Sequence, residues 1–250
     1  MSLLKALEPL FLSDTTLADA IPLNLAARVA VDVNPRARRI SIRLDPARGC
    51  VVLVRPARAS DRVVGAFIGS RVDWIAHHLE SLPERIAFVD GAVIPYRGID
   101  HVIRQRPEAR GGVWREDTEV IVAGRPEHAA RRVRDWLKGE ARSSLASTVH
   151  AMAAHLDTTI TRVTVRDTIS RWGSCSRDGK LSFSWRLILA PEAVLTYVAA
   201  HEVAHLRHMD HSHAFWRTVT MVLENYAGDV NWKLARQWLR RSGAALHRYG

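Results

Sequence analysis

The first 125 residues alternate short apolar runs with turn-forming residues, a pattern that is typical of β-structure. In Arg39–Leu44, for example, apolar residues occupy every second position and share one face. We predict strands at Val29–Val33, Arg39–Leu44, Val51–Arg55, Phe88–Tyr96, Ile99–Arg104 and Glu119–Val122. The fourth and fifth of these are expected to pair as a hairpin. Between them and the third strand, a helix capped by Ser60 or Asp61 is predicted to reach Leu82.

The second half of the chain has a different pattern, which changes near Pro126. Apolar residues recur every three or four positions from Glu127 to Leu156, which predicts a long helix. Three strands and a further helix are expected beyond it, at Thr161–Arg166, Trp172–Ser176, Leu181–Leu189 and after Pro191. The sequence therefore predicts an α+β fold with a β-rich N-terminal lobe over residues 1–125. A compact lobe with a small antiparallel sheet is predicted over residues 126–250.

Composition excludes several classes of protein. With 250 residues, 47% of them hydrophobic, the chain is expected to bury a core and not to be disordered. No apolar run approaches the ~20 residues that span a bilayer, so we expect no membrane partner. The N-terminus has Lys5 and a short apolar patch, but Glu8 interrupts the patch and no small-residue cleavage site follows, so we expect no signal peptide. The two cysteines argue against a disulfide framework, and a cytoplasmic location is expected.

The net charge of +10 is unusual, and most of the excess lies in residues 126–250. Such a charge is compatible with a nucleic-acid partner. Arginine outnumbers lysine strongly, however, which also fits a compositional bias on a solvated surface. Charge alone therefore does not assign a function.

The helix after Pro191 carries the motif His201-Glu202-Val203-Ala204-His205. Residues four apart lie on one helix face, so both imidazoles can bind one Zn²⁺. Glu202, next to the first ligand, is placed to take a proton from a water on the metal instead of binding the metal itself. We therefore predict a zinc site with Glu202 as the general base.

A catalytic zinc needs a third protein ligand, and the spacing leaves this ligand open. His211 lies ten residues beyond His201, as in the metzincin pattern, although His208 stands where that pattern has glycine. Glu224 lies 19 residues beyond His205, where gluzincins place a glutamate. His208 and His213 are further candidates.

Together, several segments of the chain resemble the YgjP-like metallopeptidase family, which is related to the SprT-like zinc proteases. The resemblance rests on Arg171–Ser176, Leu181–Leu187, Ala190-Pro191, Tyr197-Val198, the motif at 201–205, His211-Ser212 and Phe215-Trp216. Weaker similarity covers most of the remaining chain except its first ~25 residues.

This resemblance implies a zincin-like hydrolase that holds one zinc ion per chain through His201, His205 and His211. It implies Glu202 as the general base and a protein or peptide as the substrate. Residues 171–176 would form a strand beside the cleft whose backbone pairs with an extended peptide. Arg171, Trp172, Gly173 and Ser174 are accordingly candidate substrate-binding residues, although Trp172 equally fits core packing.

Two other functions are compatible with the sequence. A zinc hydrolase of a nucleotide or other phosphate ester would use the arginine excess, since guanidinium groups match phosphate. A non-enzymatic nucleic-acid-binding protein with a structural metal would use the basic segment Asn231–Ser242. That segment also reads as an amphipathic helix that docks through its tryptophans.

Overall fold

The computed structural model describes residues 22–26, 28–45, 49–80, 84–228 and 230–250. The segment around Lys5 and Glu8 and the predicted helix end at Leu82 lie outside these ranges. The chain forms two compact units, Met1–Arg85 and Ile86–Gly250. The predicted α+β class is confirmed, because the first unit combines one small sheet with helices and the second unit combines two small sheets with helices.

The first unit contains a three-stranded sheet and two helices after a short helical turn, α1 (Leu23–Ala26). Its strands are β1 (Val29–Asn34), β2 (Ser41–Asp45) and β3 (Cys50–Pro56), and the sheet order is β1-β3-β2. Strand β3 is parallel to β1 and antiparallel to β2. Its residues Val51 and Leu53 pack into an apolar core with residues of the two helices.

Those two helices replace the single helix that the sequence predicts. They are α2 (Asp61–Gly69) and α3 (Val72–Glu80). The break follows from local chemistry, because Gly69 and Ser70 are weak helix formers. The Ser70 hydroxyl also donates to the Phe67 carbonyl at 2.8 Å, a local bond that competes with helix continuation.

The second unit begins at Ile86, before the hairpin that was predicted within the N-terminal lobe. Its first sheet contains β4 (Val93–Tyr96), β5 (Ile99–Arg106), β6 (Val113–Glu116) and β7 (Glu119–Ala123), in the order β4-β5-β7-β6. Buried residues of this sheet share one core with the long helix that follows. The first compact unit ends at Arg85, so this sheet and the long helix belong to the same unit.

That long helix, α4 (Ala129–Ala154), follows a 3₁₀ turn at Pro126–His128 and buries one apolar stripe along its whole length. It matches the predicted helix to within two residues at each end. The second sheet contains β8 (Arg162–Arg166), β9 (Gly173–Cys175) and β10 (Lys180–Ser184), in the order β8-β10-β9. This sheet is mixed, because β10 is parallel to β8 and antiparallel to β9.

The predicted strand Leu181–Leu189 ends at Ser184, and Trp185–Leu189 forms a 3₁₀ turn. All five residues of this turn are buried, so they do not alternate between core and solvent as a half-buried strand would. Helices α5 (Glu192–Ala204), α6 (His213–Ala227) and α7 (Trp232–Ser242) follow, with a final 3₁₀ segment at Gly243–Arg248. Among the described residues, no helix is long and apolar enough to span a membrane.

Candidate metal centre

Helix α5 carries both histidines of the motif at its C-terminal end, where each is half-buried. Ten of its thirteen residues are buried, so it is apolar on all sides, as expected for a central helix. His201 lies in its last turn and His205 caps its C-terminus. The two imidazole rings lie 4.9 Å apart, centroid to centroid. The motif therefore occupies a helix end, which leaves the next residues free to turn back towards it.

The turn after α5 brings His211 to the same place. Its Nε2 lies 3.2 Å from Nε2 of His201. One nitrogen from each of His201, His205 and His211 lies within 4.8 Å of the others, and this is the candidate metal-binding cluster found among the described residues. Glu224, the alternative third ligand, lies on the exposed side of α6 and outside the cluster.

The other two candidate histidines also lie outside this cluster. The backbone carbonyl of His208 accepts a hydrogen bond from Nδ1 of His205 at 2.8 Å. This bond puts the proton on Nδ1 and leaves the Nε2 lone pair of His205 available to a metal. His208 thus supports the site through its backbone, while His213 begins α6 as an exposed residue.

The donor set fits a transition-metal ion. Burial, with smaller contributions from the other histidines and Arg236, lowers the pKa of His201 to about 3. Burial likewise lowers the pKa of His205. These two imidazoles are therefore neutral, which is the form that binds metal. Together with His211 they offer three nitrogens whose separation suits a tetrahedral ion with its fourth position open.

Aromatic side chains enclose the three imidazoles. Phe215 is fully buried, and its ring centroid lies 4.9 Å from His201, 4.6 Å from His205 and 4.7 Å from His211. Trp216, the next residue of α6, lies 5.8 Å from the ring of His201. Such packing fixes ring orientation, which a metal site needs in addition to the correct donors.

Glu202 is buried on α5, with 5% of its surface exposed. Burial raises the pKa of its carboxyl group to about 8, while the nearby Arg171 acts in the opposite direction. The side chain lies directly against the backbone of Gly173 in strand β9. A Cβ atom built on Gly173 would lie 2.5 Å from Oε1 of Glu202 and 2.6 Å from its Cγ. Only glycine leaves room for Glu202 at this position.

The four predicted substrate-binding residues separate into two groups. Gly173 and Ser174 belong to β9, which is an end strand of its sheet. Ser174 and Arg171 line a polar groove of about 500 Å³ along this sheet. Trp172 is instead half-buried, stacked on His247 at 5.1 Å and packed against Gly243. Its environment is that of a core residue.

Two residues near the cluster were not predicted as site residues. The ring of Tyr197 lies 6.0 Å from that of His201, and Arg236 of α7 is close enough to lower the pKa of His201. Tyr197 lies one helical turn before His201, so helix geometry could have identified it. The approach of α7 depends on tertiary packing, and nothing local in the sequence indicates it.

Three imidazoles lie around one point beside a carboxylate on a buried helix, an arrangement that is typical of metal-dependent hydrolases. The chain belongs to the YgjP-like family, because the model of the YgjP-like metallopeptidase domain matches residues 38–242. It is a metal-dependent peptidase.

The crystal structure of the metallopeptidase zymogen of Pyrococcus abyssi abylysin is similar to the chain at 20% identity and a TM-score of 0.31. That similarity covers 37% of this chain and 93% of the other. No curated protein matches the chain.

Proposed function

We propose that the chain is a zinc peptidase in which His201, His205 and His211 hold one Zn²⁺ and Glu202 is the general base. The observation that carries this proposal is the convergence of three imidazole nitrogens within 4.8 Å of one another. The carboxylate of Glu202 is buried and lies against Gly173, which supports its assignment as the general base. This combination suits hydrolysis better than a structural metal, which would be enclosed by four protein ligands.

Zinc is the metal that the donor set favours, since imidazole suits it and three ligands leave one position open. When bound, zinc lowers the pKa of water towards ~7 and polarises a carbonyl group. The chain itself would hold the three imidazoles of His201, His205 and His211 close together before the ion binds. Burial keeps His201 and His205 neutral, and the hydrogen bond to the His208 carbonyl orients His205.

Glu202 would accept a proton from the water that attacks the scissile carbonyl carbon, and later donate it to the leaving nitrogen. A carboxyl group with its pKa near the working pH can exchange protons in both directions. Burial raises the pKa of Glu202 to about 8 in the absence of metal, and a cation held by the neighbouring imidazoles would lower it towards the working pH. The nearby Arg171 favours the charged form that the first proton transfer needs.

Strand β9 is proposed to hold the substrate. Gly173–Cys175 pairs with β10 along one side only, so its other side offers backbone donors and acceptors. An extended peptide can add to such an edge as a further strand. Gly173 and Ser174 would contribute their backbone there, and the Arg171 guanidinium would stabilise the substrate carbonyl. The packing of Trp172 on Gly243 and His247 supports a structural role for it instead.

The proposal is tested by measuring zinc content and hydrolysis together. Wild type and Glu202→Gln are assayed on an unstructured protein, a peptide library and nucleoside triphosphates. We expect wild type to cleave peptides only, and Glu202→Gln to keep zinc while losing activity by about 100-fold or more. Hydrolysis of a triphosphate that depends on Glu202 would favour the phosphate-ester alternative. Full activity in Glu202→Gln would contradict the general-base role.

A matched pair of variants tests the ligand set. His211→Ala is expected to lose stoichiometric zinc, while Glu224→Ala, an exposed residue of the next helix, is expected to retain it. The opposite result would show that the third ligand is Glu224.

A further inference from the structure

Helix α7 presents a cationic cavity whose charges the proposed function does not use. Lys233, Arg236 and Arg240, together with Trp232 and Gln237, line a cavity of about 340 Å³. We name these five residues the α7 cavity. They recur one or two helical turns apart and so share one side of the helix. This volume is sufficient for a single side chain of a ligand.

Aromatic stacking connects the α7 cavity to the metal centre. The rings of Trp216 and Trp232 stack at 4.6 Å, and the Arg236 guanidinium lies over the Trp216 ring, 5.1 Å from its centroid. Trp216 in turn lies 5.8 Å from the ring of His201 and 6.0 Å from that of His211. Arg236 is therefore separated from the candidate ligands by one indole ring.

No carboxylate within the described part of the chain forms an ion pair with the cationic residues of this cavity. Nine ion pairs occur there, and Lys233, Arg236 and Arg240 take part in none of them. The sequence also has no Asp or Glu after Asp229. Arg236 is half-buried and held by the indole, so its position is set before any anion arrives. A preorganised guanidinium of this kind is a recognition group for a carboxylate.

We propose that the α7 cavity is a specificity subsite that receives an acidic side chain, Asp or Glu, of the peptide substrate. Arg236 is the carboxylate-binding residue, and Lys233 and Arg240 add to the positive potential. This inference rests on the proposed peptidase function and names the class of peptide that the site selects.

The size and position of the cavity favour a peptide carboxylate over a nucleic acid. A duplex presents one charge per ~1.7 Å and is bound by a long track of phosphate contacts. The α7 cavity is instead a shallow recess on one helix, and Trp216 lies between its Arg236 and the metal centre. Because an extended peptide advances by ~3.3 Å per residue, a side chain a few positions from a scissile bond at the metal would reach Arg236.

The test begins with a digest of a random peptide library by the zinc-loaded protein. We expect Asp and Glu to be enriched at one position relative to the cleaved bond. Two peptides that differ only by Glu or Gln at that position are then compared by kcat/KM. One charge-assisted hydrogen bond corresponds to a preference for Glu of about tenfold. Arg236→Gln is expected to reduce this ratio to near one, and Arg236→Lys to retain part of it.

Arg241→Gln is the matched control, because it removes the same charge from an exposed position of α7 outside the cavity. It should keep both the activity and the ratio of wild type. Arg240→Gln serves as a second cavity variant. The thermal melting temperature of each variant is also measured, and this separates misfolding from lost recognition. A ratio that Arg236→Gln leaves unchanged, or a library without acidic enrichment, overturns the proposal.

Two further outcomes distinguish this proposal from its alternatives. If the zinc-loaded wild type cleaves no peptide, the proposed function fails and this inference fails with it. If peptides are cleaved without acidic preference, only the inference fails. Salt-dependent binding of duplex DNA that Arg236→Gln abolishes, with the Glu-to-Gln ratio unchanged, would assign the cavity to nucleic acid.

Discussion

Glu202 packs against the backbone of Gly173, so that a Cβ atom at position 173 would lie 2.5 Å from Oε1 of Glu202. The contact joins the helix of the motif to the edge strand of the sheet. Gly173→Ala is therefore expected to displace the Glu202 side chain. Misplacement of a catalytic group by about 1 Å costs on the order of 100-fold in rate. We expect this loss in kcat/KM with zinc content unchanged, measured by peptide hydrolysis and metal analysis.

Gly139→Ala is the matched control for that substitution. A Cβ atom at Gly139, in the exposed part of α4, meets nothing within 4 Å. Alanine is the better helix former, so the free energy of unfolding should rise by about 0.4–1 kcal/mol while activity stays unchanged. If Gly173→Ala keeps full activity, the contact with Glu202 does not position the carboxylate.

The parts of this centre that follow from local periodicity could be predicted. His201 and His205 lie one helical turn apart, and helix geometry alone places them together. Helix α4 was predicted for the same reason, because its apolar stripe recurs along its whole length. His211 is different, since its approach depends on the turn after α5. Spacing favoured His211 over Glu224 without excluding Glu224, and the resemblance to a family strengthened that preference.

The parts that depend on tertiary packing could not be predicted. The Gly173–Glu202 contact and the approach of Arg236 to Trp216 each join segments that are distant in the sequence. The predicted strand Leu181–Leu189 was wrong beyond Ser184, because burial there does not follow the polarity of the residues. Arg186 is buried in the 3₁₀ turn, whereas its polar character suggested the solvent face of a strand.

Arg186 is expected to contribute substantially to stability because it binds the end of the chain. Its buried guanidinium donates through Nη1 to the carbonyl oxygens of Leu246 and Tyr249, at 3.1 and 2.5 Å, and its Nε lies 3.2 Å from Asp167. Arg186→Met leaves these acceptors without a donor and should lower the free energy of unfolding by about 2–4 kcal/mol. Urea denaturation measures this change.

The exposed pair Arg131–Asp135 provides the comparison for Arg186. Its two residues lie four apart on α4, and solvent reaches both side chains. Such pairs contribute about 0.3–0.5 kcal/mol, so Arg131→Met should change stability little. Equal effects of the two substitutions would contradict a special role for Arg186.

Cys175 is expected to react slowly with alkylating reagents at neutral pH. Burial, followed by the charges of Glu202 and Asp178, raises the pKa of its thiol from 9.0 to about 11. The thiol is protonated below that pH, and only the thiolate is nucleophilic. At pH 8 its thiolate fraction is therefore about 100-fold lower than that of an unperturbed thiol. The rate should rise steadily as the pH approaches 11.

Iodoacetamide labelling, with the modified cysteine located by mass spectrometry, measures this rate. Labelling in urea provides the reference, because unfolding removes the burial that raises the pKa. Labelling of native Cys175 at pH 8 as fast as in urea would show that the thiol is not protected. Such a result would mean that Cys175 is a reactive group of the site.

Removal of the metal is expected to destabilise the second unit, because its three candidate ligands come from two segments of the chain. An ion that binds only the folded state adds about 2.7 kcal/mol when its free concentration is a hundred times Kd. For a protein of this size, that corresponds to a fall in Tm of about 5–10 °C on chelation. Differential scanning calorimetry with and without a chelator measures this change in Tm, and added zinc should restore the original Tm.

His211→Ala should have the lower Tm already and respond little to the chelator, whereas Glu224→Ala should behave as wild type. A wild-type Tm that the chelator leaves unchanged would mean that the three imidazoles do not hold a metal in the folded chain.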